Sequence, residues 1–410
     1  MPRDSQTGST VSDFRTDFEE AMRHLRGSLT ELYSATGADS NSPQRVARDF
    51  QINRNLSWKI GRTIHAPDAF QTYTHLPARG SLEILLKAFE QRAPAPTILA
   101  DVRKALEQFE GVVAQHAGNK TTFELLVQST YADSGAGPLS EASRKQAFHG
   151  NSAIWGVQAT ARTLTQIVAP SRKDDTRADN AMVGGVFGYR RLRSDVRWPI
   201  GQRFLHGDLE GSWTEAIDPD ADESDALPLM PEFCSSPLPD LRVVRDGDFT
   251  ITELEEGPVG STGALSCVFG WIHRNYLPVH QTPGETHTEH ILRLDTPVEF
   301  ALLDLLVHRD LPFEGAPGHC ISSLMHGRAR LPFCEHPRHH LPIGNEVSHL
   351  GDYPPMLATP RVERYSQMVA VAVDRLGRDL ADFRGYRFTL TYPPIPTVAD
   401  LYYKLPPGPR

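Results

Sequence analysis

The chain has 410 residues, a formal net charge of −9, 39% hydrophobic and 23% charged residues. This balance excludes a wholly disordered chain, and an acidic body offers no global attraction to nucleic acid, so any contact with DNA must rest on a local basic cluster. There is no run of 18 apolar residues, and the opening MPRDSQTGSTVSDF lacks the charged-then-apolar layout of a secretion signal, so the expectation is a cytoplasmic protein without membrane contact.

Residues 1–10 are polar and read as a flexible tail. From Phe14 onward, Phe18, Met22, Leu25, Leu29 and Leu32 recur at helical spacing, which predicts an amphipathic helix that docks on its own domain or forms a dimer seam. Asp13 and Asp17 favour its start and Gly37 its end. Ser42-Pro43 marks the next helix start. HAPDAFQTYTHLPARG reads as a connection, while SLEILLKAFEQRA and TILADVRKALEQFEGVVAQH read as helices separated at Pro94 and Pro96. SEASRKQAFHGNSAIWG is a weaker helix. A helical domain over residues 11–155 follows, after which the period changes.

Short apolar or alternating runs in AMVGGVFGYRRLRSDVRWPIGQRFL, LRVVRDGDFTITELEEG and ALSCVFGWIHRNYLPV, split by Gly, Pro and Asp-Gly, predict antiparallel strands. EFALLDLLV suits a strand or a helix, and period alone does not separate them. PRVERYSQMVAVAVDRLGRDLADF reads as a helix followed by a strand in YRFTLTYPP. The stretch 218–232 is acidic and reads as an exposed loop, without the spacing of a calcium loop. The expected fold class is α+β: an N-terminal helical domain, then a strand-rich domain over 156–410.

Within RVARDFQINRNLSWKI, Ala47 occupies the crossing point of two helices, Phe50 fills the space between them, Ile52 plugs the turn, and Leu56 and Ile60 line the inner face of the second helix. This pattern resembles the helix-turn-helix family of bacterial regulators over residues 43–64, departing from it at Gln51, where glycine is usual, and at Ser57, where a branched apolar residue is commoner. The resemblance implies that the second helix enters a major groove. Residues 44–62 carry Arg45, Arg48, Arg54, Lys59 and Arg62 against the single acid Asp49. Gln51, Asn53, Arg54, Asn55, Ser57, Lys59 and Arg62 are the expected DNA-binding residues, by donor and acceptor type. Trp58 is expected to pack.

Eleven of the 17 histidines fall between His273 and His349. His319, Cys320, Cys334 and His336 have the donor types of a zinc site, although no Cys-x2-Cys pair is present; surface histidines are the alternative. The four cysteines are too widely spaced for a disulfide framework. His287 and Glu289 would share one strand face as an acid/base pair, with His290 opposite. FGYRRLRSDVRWP mixes aromatic and arginine residues that suit nucleic-acid stacking or a sheet surface. Phosphate-loop, dinucleotide and nucleophile-elbow signatures are lacking, and no catalytic residue is singled out.

The functional expectation is a DNA-binding transcriptional regulator with a C-terminal sensing or oligomerisation domain, acting as a homo-oligomer. The alternatives are a self-assembling or partner-binding protein whose helical pair only packs, and a metal-dependent enzyme using the histidine-rich segment 273–349.

Overall fold

The computed structural model describes residues 13–92, 94–131, 137–204, 211–221, 227–247, 249–325, 332–343 and 346–408. The predicted tail, His326 and the centre of the acidic stretch lie outside them. The chain divides into two compact units, residues 1–136 and 137–410, and the fold class is α+β.

The first unit holds α1 (Phe14–Ala35), α2 (Pro43–Asp49), α3 (Arg54–Ile64), α4 (Ala69–His75), α5 (Arg79–Glu90), α6 (Pro96–His116) and α7 (Lys120–Thr130). Asp13 caps α1, its carboxylate accepting from the Thr16 amide and satisfying one of the free donors of the first turn. The predicted stripe is real: Phe14 is half-buried and its members from Phe18 onward are buried. Phe18, Met22, Leu25, Leu29 and Leu32 are at most 1% exposed, chiefly against α6. Each such side chain contributes roughly 1.5–3 kcal/mol by leaving water, so α1 is the spine of its own unit and this face is closed to a second copy. The stretch read as a connection contains α4, capped by Asp68 through the Gln71 amide at 2.7 Å.

The second unit opens with α8 (Gly137–Trp155), followed by β1 (Val157–Pro170), β2 (Arg177–Arg191), β3 (Trp198–Phe204), β4 (Trp213–Ala216), β5 (Leu241–Asp246), β6 (Phe249–Leu254), β7 (Leu265–Pro278), β8 (His287–Leu294), β9 (Val298–His308), β10 (Gly318–Ser323), β11 (Val347–Asp352), α9 (Tyr365–Leu376), β12 (Phe383–Thr391) and β13 (Thr397–Lys404). Seven strands form one sheet in the order β11-β12-β9-β1-β2-β7-β4, and two three-stranded sheets have the orders β10-β13-β8 and β3-β6-β5. Pairing in the large sheet is antiparallel except between β1 and β9, which run parallel. One face of this sheet packs under α9, where Met368, Val369, Ala372 and Val373 meet Ile167, Ala181, Leu302 and Leu306. Its other face joins Leu292, Leu401 and Tyr403 of the β10-β13-β8 sheet. A strand covered on both sides needs no polar alternation, which resolves EFALLDLLV as β9. α9 stops at Gly377, whose φ of 75° is left-handed.

The acidic stretch is only partly a surface loop. Its C-terminal end runs beside β7: the Met230 amide donates to Val268 O, Gly270 donates to Pro228 O, and Leu227 and Met230 are buried. Among the described residues no helix is long and apolar enough to cross a membrane.

Candidate nucleic-acid interface

The pair α2–α3 is built from the inside outwards. Val46, Phe50, Ile52, Leu56 and Ile60 are buried while Ala47 is half-buried, and Phe50 stacks on Phe89 with centroids 4.0 Å apart. The turn reverses at Gln51, whose φ of 54° lies in the left-handed region; the Ile52 amide then donates to Ala47 O at 3.0 Å. A non-glycine residue there carries a conformational cost. Gln51→Gly is expected to stabilise the unit by about 1 kcal/mol, read as a higher urea midpoint at constant slope.

Asn53 starts α3: its side-chain oxygen accepts from the Asn55 amide at 2.8 Å, so its role here is capping. Ser57 is 1% exposed and neighbours the Tyr33 hydroxyl, whose pKa burial drives upward. It sits where the resemblance calls for a buried residue, which removes it from the outward set. Gly61 is a residue the sequence reading missed. A Cβ there would stand 2.8 Å from Ser40 O, so glycine permits the close approach of α3 to the segment before α2.

The outward face carries Gln51, Arg54, Asn55, Trp58, Lys59 and Arg62, all exposed. Trp58 is 43% exposed, with its edge to His75 at 5.8 Å and the Arg62 guanidinium 5.5 Å from its ring centre, so it is only partly the packing residue expected. Burial, with Arg62 and Lys59 close by, lowers the pKa of His75. Asp49 pairs with Arg45 at 3.4 Å. Arg48, Arg54, Lys59 and Arg62 make no ion pair among the described residues.

The histidine-rich segment resolves differently. His319 and Cys320 point to opposite faces of β10: Cys320 is buried beside Asp400, whereas His319 is exposed and faces Phe388 at 5.7 Å. His336 lies by His339, with ring centres 6.3 Å apart. The proposed zinc set His319, Cys320, Cys334 and His336 therefore does not converge, because neighbouring residues of a strand face opposite ways. Among the described residues no group of three or more His, Cys, Asp or Glu has a metal-holding arrangement.

A carboxyl–thiol cluster takes its place. Glu289 pairs across the ladder with Tyr402, and Cys320 with Asp400, which puts Glu289, Asp400 and Cys320 on one face. Asp400 is 0% exposed and its Oδ2 lies 3.8 Å from Cys320 Sγ. Its Oδ1 has no donor unless a proton is held between it and Glu289, and neither carboxyl makes an ion pair among the described residues. Desolvation, then the Glu289 charge, pushes Asp400 up to about 9. Burial likewise raises the thiols of Cys320 and Cys334 to about 12, which keeps them protonated and poorly nucleophilic. Glu289 also accepts from the Cys334 amide at 3.0 Å.

His287 and Glu289 share a face, but the ion pair His287 makes is with Glu335, at 3.2 Å. His290, on the inner face, is 0% exposed and contacts Gln166 Oε1 at 2.9 Å; burial lowers its pKa to about 3. In the aromatic–arginine stretch, Arg191 is buried and bonded to Val196 O and Glu255 O, Arg190 faces Glu299, and Arg197 pairs with Glu255 and Glu256. These cations serve the second unit's own packing.

No family model and no curated protein sequence matches the chain. Solved structures that match include that of a protein from Parabacteroides distasonis ATCC 8503, provisionally assigned as a protease. It is 8% identical with a TM-score of 0.26, and the match covers 61% of this chain and 41% of that one. A likeness this slight carries no argument about fold or activity.

Proposed function

We propose that the chain is a cytoplasmic DNA-binding transcriptional regulator, with α3 as the helix that enters a duplex groove and the second unit as a sensing or oligomerisation domain. One observation carries the reading: Arg48, Arg54, Lys59 and Arg62 are exposed, free of carboxylate partners among the described residues, and gathered on one helical pair of a chain whose net charge is −9. Unpaired surface cations concentrated against the overall charge have phosphates as natural partners. Arg54 and Asn55 at the start of α3 add side chains that can bond base edges. A two-fold operator needs two copies; because the α1 stripe is buried, their contact must use another surface.

Arg54→Ala with Lys59→Ala is expected to weaken duplex binding at least about tenfold and to reduce the slope of log affinity against log salt by about 2, one unit for each phosphate no longer neutralised. A mobility-shift series over salt reads both quantities, and an unchanged thermal midpoint shows that the fold is intact. Equal affinity of the two proteins would remove this function.

A further inference from the structure

The first unit contains a second basic feature, set into the molecule. A cleft of about 420 Å³, within the range of small-ligand sites, opens between α1 and the segment that leaves α3. Its α1 wall is a helical stripe that carries Arg15, Glu19, Arg23 and Arg26, and the opposite wall runs from Pro67 to Thr72, with Tyr131 closing one end. Both acids in this lining already have partners. Glu19 Oε1 accepts from Arg15 at 3.0 Å and from the Tyr131 hydroxyl at 2.9 Å, and Asp68 Oδ1 caps α4. Arg15 and the Tyr131 hydroxyl lower the Glu19 pKa, so this acid remains an anion held by its neighbours. The Arg23 side chain makes no hydrogen bond and no ion pair among the described residues, although its charge helps hold Glu19 as an anion, and it is exposed to the cleft.

The cleft is also joined mechanically to α3. Arg26 lines it and donates to Ala66 O at 2.7 Å, in the short link between α3 and α4. α4 in turn meets α3 through His75 and Trp58. A ligand that draws Arg26 and Arg23 together would act on the link that fixes the end of α3.

We propose that this cleft binds a compact oxyanion, of the phosphate or polycarboxylate class, and that its occupancy is transmitted through the Ala66 link to the outward face of α3. The guanidinium of Arg23 supplies the free charge-assisted bonds, and Arg26 and Arg15 supply their remaining donors. The regulatory half of this inference rests on the DNA reading above, whereas the binding half does not.

The test uses the full chain, with inorganic phosphate and citrate as separate probes at constant ionic strength. Calorimetry should show saturable binding of one of the two probes, which also tells the phosphate class from the polycarboxylate class, and Arg23→Gln should weaken it at least about tenfold. Trp58 is the sole tryptophan of the first unit, so the emission change on anion addition that disappears in Trp58→Phe reports α3 independently of DNA. No saturable binding by either anion, or the same affinity in Arg23→Gln, overturns the site. Binding without any Trp58-dependent emission change overturns the transmission. If the anion binds and Trp58 responds while the chain ignores DNA, the cleft and its coupling stand and the regulator assignment alone falls.

Discussion

Arg387→Ala should cost the second unit about 3–5 kcal/mol, the range observed when a buried ion pair is left with one partner. Asp304, on β9, is 0% exposed. It accepts from Arg387 Nε at 2.8 Å and Nη2 at 2.7 Å, and from the Tyr365 hydroxyl at 2.7 Å; that hydroxyl also contacts Thr165 Oγ1 at 2.7 Å. Arg387 further donates to Leu357 O and Ala358 O, so it ties β12, β9 and the segment before α9 into one network. Desolvation drives the Asp304 carboxyl upward, opposed by the guanidinium, and the balance stays above the usual carboxylate value. Without Arg387 the opposing influence vanishes, and a carboxylate with no countercharge must take up a proton or admit water. Urea unfolding followed by the far-ultraviolet signal reads the destabilisation. A partly compensating second change, Asp304→Leu combined with Arg387→Met, should recover most of it, since apolar replacement of a buried pair is often near neutral. A cost below about 1 kcal/mol for Arg387→Ala would mean that the network is ornamental, as exposed pairs commonly are.

Asp400→Asn should make the protein more stable at alkaline pH and flatten its pH profile. Asp400 binds its proton far more tightly in the folded chain, up to about 9, than an unfolded aspartate does at about 3.9. Between these values the folded state holds more protons than the unfolded state, so stability is fully present below the lower pKa and is lost as pH rises through the higher one. The slope from one proton reaches about 1.4 kcal/mol per pH unit. An amide can donate to Glu289 as the protonated acid does, without titrating. The thiols facing the pair titrate near 12, and His290 acts in the opposite sense at low pH, because its pKa near 3 costs stability only as pH falls below about 6.5. Between about pH 7 and pH 9 the Cys234 thiol, lowered to about 7 by its hydrogen bond with Cys267, also titrates. The raised thiols begin to weigh from about 8.5, where unfolded thiols ionise, so the carboxyl pair is read as the difference in slope between wild type and variant across that interval. Parallel stability curves for wild type and variant across that interval would refute the shared proton.

The sequence showed most clearly those elements whose own period is their reason for existing. The α1 stripe was legible because one helix buries one face, and β9 was ambiguous because a strand covered on both sides loses its period. α4 escaped notice: at seven residues it is shorter than the two to three turns that a periodic pattern needs, and its signal is the Asp68 cap. On the candidate interface, Arg54, Asn55 and Lys59 were identifiable by type and stand outside as expected, whereas Ser57 belongs to the interior by its place on α3 rather than by its polarity. The zinc set failed because proximity along the chain put His319 and Cys320 together and the pleat of β10 parted them. Asp400 and Glu289 meet across two strands that are far apart in sequence, and no local pattern announces such a pair.

The parallel ladder of β1 and β9 sets a schedule for the molecule. Ala159 faces Val298 across it, partners about 140 residues apart, and loop closure of that length is slow to nucleate. A ribosome must release most of the polypeptide before the large sheet can complete its centre, while the helical first unit, built from neighbouring segments, is ready long before. Until then one margin of β1 waits with its amides and carbonyls unpaired. During synthesis the second unit thus passes through a stage in which the unpaired margin of β1 invites self-association, a hazard the helices that precede it do not share.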